Sequence, residues 1–135
     1  MTAVFADTFF YLALLNEDDA AHERALAESK VNRTIVTTEF ILLELGNACA
    51  RADDHADFLA LVEGMRASSR IDITPVSSQL LQRGLELMRS RPDKDWSLTD
   101  CTSFVVMTEA ALKEALTGDH NFEQAGFAAL LKPGC

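Results

Sequence analysis

The sequence predicts an α/β fold, a three-layer α/β/α domain built on a mainly parallel sheet of about five strands. Three observations carry this expectation. Short apolar or β-branched runs alternate with longer stretches of helical periodicity along most of the chain. Parallel strands need such crossovers, and right-handed crossovers cover both faces of the sheet with helices. Acidic residues also recur where strands run out and helices begin, which is the edge where parallel sheets hold their ligands.

Val4-Phe5-Ala6 is a buried-strand candidate that ends in Asp7-Thr8, and either of these two can cap a helix over residues 9–15. The polar stretch 16–19 leads to an alanine-rich, charged surface helix over residues 20–30. Thr34-Ile35-Val36-Thr37-Thr38 has the composition of a second strand and feeds a helix that is apolar nearly all round from Phe40 to Ala50. Glu44 interrupts that helix. A buried carboxylate requires a partner, so either a cation faces Glu44 or its side chain reaches water from the edge of the apolar face. Asn47, three residues on, shares the same face.

Asp53, Asp54 and Asp57 suit the N-terminal dipole of a further helix, with Phe58, Leu61, Val62 and Met65 as its apolar face. Residues 71–76 alternate as a strand, with Pro75 marking its end or a sheet edge. Ser77 then begins a helix whose expected inner face is Leu80, Leu81, Gly84, Leu85 and Met88. Residues 89–96 read as a charged loop closed by Trp96, after which Leu98, Cys101, Thr102 and Val105 share one helical face. Residues 115–119 read as a fourth strand ending in Asp119, residues 120–125 as a short turn or helix, and residues 127–131 as a fifth strand. No repeat, low-complexity tract or linker intervenes, so residues 1–135 are expected to form one domain.

Composition narrows the function classes. Cys49, Cys101 and Cys135 are widely spaced and include no Cys-x-x-Cys pair, which argues for a reducing compartment and against structural zinc. Cys49 and Cys101 fit as small core residues, and Cys135 is expected to be exposed. No basic segment precedes the first apolar run and Asp7 interrupts it, so a cytoplasmic protein without a membrane span is expected. The net charge of -9 speaks against non-specific, charge-driven binding of nucleic acid or anionic membrane. A polyanionic substrate would need local basic side chains or a bound metal.

Asp7, Asp100 and Asp119 stand where a strand ends or a helix begins, and Glu44 lies about a turn and a half into the helix after the second strand. On a parallel sheet all four can converge on one edge. Each also has a purely structural reading: Asp7 and Asp119 as N-caps, and Ser97-Leu98-Thr99-Asp100 as a capping box. Packed together, four carboxylates raise one another's pKa values unless a cation compensates. Hard oxygen donors of this kind select Mg²⁺ or Mn²⁺. Without a phosphate-binding glycine loop, the set points to a magnesium cage performing metal-assisted hydrolysis of a phosphodiester.

Four segments carry a family resemblance: Phe5-Ala6-Asp7-Thr8, the run from Thr38 to Ala48 around Glu44, the run from Trp96 to Met107 around Asp100, and the run from Leu116 to Phe127 around Asp119. In order and spacing this set resembles the four motifs of PIN domains, most closely the VapC-type ribonuclease toxins of type II toxin–antitoxin systems. The resemblance implies a PIN-like fold and Mg²⁺- or Mn²⁺-dependent cleavage of RNA. It casts Asp7 and Asp100 as the main metal ligands, Glu44 as a further acid acting partly through water, and Asp119 as the fourth, most variable member. Thr8 and Asn47 would support them by hydrogen bonding. It also implies homodimerisation and inhibition by a cognate antitoxin whose tail enters the active-site groove.

Asn121 is neutral where some PIN domains place an additional acid. Arg83, Arg89, Arg91 and Lys94, a third of all Lys and Arg within twelve residues, are candidates to grip phosphates or else a solvated helix end and loop. Trp96 either stacks on a base or lids the core at a helix entry, the second being favoured. His120 is left outside the site, and His22 and His55 are expected to face solvent. Two rival readings are an Asp7-nucleophile phosphatase, whose usual Asp-x-Asp pattern fails at Phe9, and a non-catalytic interaction domain whose acids are only caps.

Overall fold

The computed structural model describes residues 2–133. Strands β1 (Ala3–Ala6), β2 (Thr34–Thr38), β3 (Ile71–Thr74), β4 (Glu114–Leu116) and β5 (Ala128–Ala129) form one sheet in the order β3-β2-β1-β4-β5. Every pairing is parallel. The chain builds outward from β1 to β2 and β3 on one side, then returns to lay β4 and β5 on the other. The carboxyl ends of β1 and β4 therefore flank a switch point in strand order, where open α/β sheets form a crevice. Val4, Phe5 and Ala6 are almost wholly buried, as an apolar run in a central parallel strand requires.

The connections supply α1 (Thr8–Leu15), α2 (His22–Ser29), α3 (Glu39–Ala48), α4 (His55–Ala67), α5 (Ser78–Ser90), α6 (Leu98–Glu109) and α7 (His120–Gln124), with a 3₁₀ turn at Ala52–Asp54 ahead of α4. Caps set several of these boundaries. The Thr38 hydroxyl accepts from the Ile41 amide, Ser77 accepts from Leu80, and Ser97 with Asp100 closes a complete capping box. Trp96, just before that box, is buried and meets Phe104 edge-on at 5.0 Å, so it lids the core. Cys49 and Cys101 are buried free thiols; Cys135 lies outside the described residues. No helix among the described residues is long and apolar enough to cross a membrane.

Several expectations need correction. α3 is not buried all round: Ile41, Leu42 and Leu45 face the core, whereas Leu43 is 62% exposed and Asn47 is exposed. A stripe through Leu43 and Asn47 stays open although α1, α4 and α6 pack against the helix, so its apolar composition overstates its burial. α5 buries Leu80 and Gly84, with Leu87 packed against the core, but Leu81, Leu85 and Met88 are exposed. Its contact is with α6 more than with the sheet, which narrows its buried stripe. Residues 89 and 90 extend α5 instead of beginning the loop. β4 stops at Leu116, and β5 is only two residues long. His22 is half-buried, its Nδ1 lying 2.7 Å from the Ala13 carbonyl oxygen, and so ties α2 to the preceding helix.

Gly84 sets the approach of α5 to α6: a Cβ there would lie 2.7 Å from Thr102 Cγ2 and 3.4 Å from the Thr102 amide nitrogen. Gly84→Ala gains up to about 1 kcal/mol of helix propensity but overpacks this contact at a cost of about 1–3 kcal/mol. A lowered urea midpoint with an unchanged m-value is expected; a raised midpoint would show that the helices separate freely.

Candidate active site

Four chain segments deliver carboxylates to the crevice at the carboxyl edge of the sheet. Asp7 follows β1 directly and occupies the N-cap position of α1, Glu44 projects from α3, Asp100 stands in the first turn of α6, and Asp119 caps α7. All four line one cleft of about 500 Å³ together with Thr8, Phe9, Leu12, Ala48, Asp95, Ser97 and Asn121. Among the described residues no lysine, arginine or histidine lines it. A second hollow of about 310 Å³ opens on a different flank of α1, against Tyr11, Leu61 and Met65 among others, and carries no carboxylate. Of these two hollows, the acidic cleft alone gathers carboxylates.

Each acid accepts from a neutral donor. Asp7 is 6% exposed and, although at an N-cap position, its side chain caps nothing. Its Oδ2 instead accepts a 2.9 Å hydrogen bond from the Thr117 hydroxyl. Glu44 is half-buried and accepts from the Thr8 hydroxyl. Asp100 Oδ2 accepts from the Ser97 amide at 3.1 Å and from the Asn121 side-chain amide at 3.2 Å. Asp119 Oδ1 accepts from the Asn121 backbone amide at 2.9 Å, which caps α7. Asn121 thus touches two of the four acids, and His120 is exposed with Nδ1 3.8 Å from Asp119 Oδ1.

The electrostatics follow from burial without countercharge. Asp7 is pushed up to about 7, chiefly by desolvation and further by the charges of Asp100 and Glu44, while Thr117 and the Thr8 amide oppose the shift. Asp100 is also raised, mainly by burial and then by Asp119, against the hydrogen bonds from Ser97 and Asn121. A divalent cation would reverse both penalties. The donor set is all hard oxygen, which fits a hard divalent cation. The carboxylates share a cleft but do not form a closed cage: among the described residues no three His, Cys, Asp or Glu side chains are gathered tightly enough to hold an ion. That openness fits a cation that keeps several waters and takes one or two carboxylates directly.

Asp95, which lines the cleft, and Thr117, fully buried and bonded to Asp7, are not marked by local sequence: Thr117 has ordinary strand composition, and Asp95 sits in a solvated charged loop. Gly118, between Thr117 and Asp119, admits the Phe9 ring so closely that a Cβ would lie 2.5 Å from its Cζ. Two of the four residues of the basic cluster are committed elsewhere: Arg83 pairs with Glu109, while Arg91 pairs with Asp93 and lies 5.2 Å from the Trp96 ring centroid.

Comparison with known proteins agrees with this architecture. A family model described as the PIN domain matches residues 4–128. The 23S rRNA-specific endonuclease VapC20 of Mycobacterium tuberculosis H37Rv is 30% identical over 126 residues, covering 92% of this chain and 95% of that protein. The crystal structure of Mycobacterium tuberculosis VapC20, described as a Sarcin-Ricin loop cleaving toxin, superposes with a TM-score of 0.83 at 27% identity, covering 93% of this chain and 96% of that one. VapBC2 from Rickettsia felis, solved bound to a promoter DNA fragment, shares the fold with a TM-score of 0.68 at 14% identity, over 95% and 97% of the two chains.

Proposed function

Because this chain belongs to the PIN-domain family, we propose that it is the metal-dependent endoribonuclease toxin of a toxin–antitoxin pair, with Asp7, Glu44, Asp100 and Asp119 as its catalytic and metal-binding residues. One observation carries the reading most: four carboxylates from distant parts of the chain line a single cleft that contains no basic side chain among the described residues. Helix capping accounts for Asp100 and Asp119, but not for the buried, uncapping Asp7 or for Glu44.

Asp7 and Asp100 would hold Mg²⁺ or Mn²⁺ directly, Glu44 would contribute partly through water, and Asp119 would complete the acidic set. When bound, the cation supplies an acidified water and charge stabilisation for the leaving oxygen of a phosphodiester. The side chains provide the rest. Thr8 aims Glu44 toward the cleft, Asn121 restrains Asp100 and Asp119 relative to each other, and Phe9 and Leu12 give the cleft an apolar wall that limits water.

Ribosomal RNA is the proposed substrate class, supported by the similarity to the 23S rRNA-specific endonuclease VapC20. The whole of residues 1–135 acts as one catalytic unit in the cytoplasm, restrained by a cognate antitoxin. Homodimerisation is supported by apolar side chains left exposed on α3, α4 and α5, among them Leu43, Leu59, Leu81 and Leu85. Purified protein incubated with ribosomes and Mn²⁺ or Mg²⁺ is expected to release discrete 23S rRNA fragments that EDTA suppresses. Intact rRNA alongside cleaved messenger or transfer RNA would overturn the substrate, and no metal-dependent cleavage of any RNA would overturn the enzyme.

A further inference from the structure

The Thr117 hydroxyl is fully buried and makes two hydrogen bonds that join separate parts of the acidic cleft. It donates to Asp7 Oδ2 at 2.9 Å and accepts from the Asp119 backbone amide at 3.1 Å. The direction of both bonds is fixed by chemistry. The Asp119 amide can only donate and an ionised Asp7 can only accept, so with Asp7 charged the hydroxyl's single proton is directed at Asp7. Thr117 is itself anchored through its backbone, its amide donating to Ala115 O and its carbonyl accepting from Leu131 N, each at 3.0 Å. Its side chain therefore projects from a fixed point between the ends of β1 and β4.

We infer that Thr117 is a positioning residue for the metal site: it engages Asp7 Oδ2, holds the Asp7 carboxylate in place for the cation, and fixes the turn that carries Asp119. This inference rests on the metal-binding reading above. Asn121 acts alike on Asp100, whose Oδ2 is also the oxygen engaged by protein donors. Each of these two aspartates is thus held by neutral donors. Outer-shell donors of this kind orient carboxylate ligands before the ion arrives, and their loss typically weakens metal affinity by about 10- to 100-fold.

Thr117→Val keeps the side-chain shape and removes both hydrogen bonds, whereas Thr117→Ser keeps the hydroxyl. Calorimetric titration with Mn²⁺, with thermal melting of each metal-free protein run alongside, separates positioning from packing. Thr117→Val is expected to bind Mn²⁺ about 10- to 100-fold more weakly than wild type, and Thr117→Ser within about threefold of it. Equal binding by wild type and a folded Thr117→Val variant would overturn the inference alone. Loss in Thr117→Ser as large as in Thr117→Val would also overturn it, by assigning the effect to the methyl group; the serine variant decides the matter if the valine variant does not fold. A wild type that binds no Mn²⁺ would overturn both this inference and the nuclease reading.

Discussion

Asp100→Asn is expected to lower metal-dependent RNA cleavage by at least about 100-fold while the protein remains folded, the scale of losing one electrostatic group that acts on the transition state. The structural role of Asp100 and its proposed catalytic role separate cleanly in this variant. An asparagine oxygen can still accept from the Ser97 amide, so the N-terminus of α6 stays capped and stability changes by less than about 1 kcal/mol. What disappears is the negative charge that a cation needs. Removing it also relieves a burial penalty, since Asp100 is desolvated and faces Asp119. Initial cleavage rates measured beside thermal melting decide the point; wild-type rates in a normally folded variant would reduce Asp100 to a helix cap.

The second large effect is on stability and runs opposite to activity. Asp7 has an ordinary value of 3.8 but is raised to about 7 in the fold, chiefly by desolvation. Between those values the native state holds a proton that the unfolded chain has lost, so the metal-free protein loses stability as pH rises from about 4 to about 7. Above that window the full penalty of a buried, uncompensated charge remains, on the order of a few kcal/mol. Asp7→Asn removes the charge and keeps an oxygen for the Thr117 hydroxyl. The metal-free variant is therefore expected to melt well above wild type at pH values beyond 7 and to match it near pH 4, while cleavage is abolished. Mn²⁺ should raise the wild-type melting temperature and leave that of Asp7→Asn nearly unchanged. Identical metal-free melting curves above pH 7 would show that Asp7 is not electrostatically penalised.

Local signals made much of this molecule legible in its sequence. β2 spans the residues its β-branched run predicts, Ser97 and Asp100 form the capping box their spacing specifies, and Trp96 lids the core beside it. The acids after β1 and before α7 lie at the sheet's carboxyl edge because parallel connectivity requires it. The missing information is relational. Glu44 meets Thr8 across 36 residues, and Asp7 meets Thr117 across 110, so neither partner leaves a local trace in composition. Similarly, periodicity identified α5 as a helix with an apolar stripe but could not reveal that α6 would cover only part of it.

The central claim is that the acidic cleft is a cation site, and calorimetric titration of Mn²⁺ into metal-free wild type and Asp100→Asn above neutral pH tests it most directly. Saturable binding by wild type that is lost in the folded variant is the predicted result. No binding by wild type, or equal binding by both proteins, would contradict the account and leave the four acids as elements of structure.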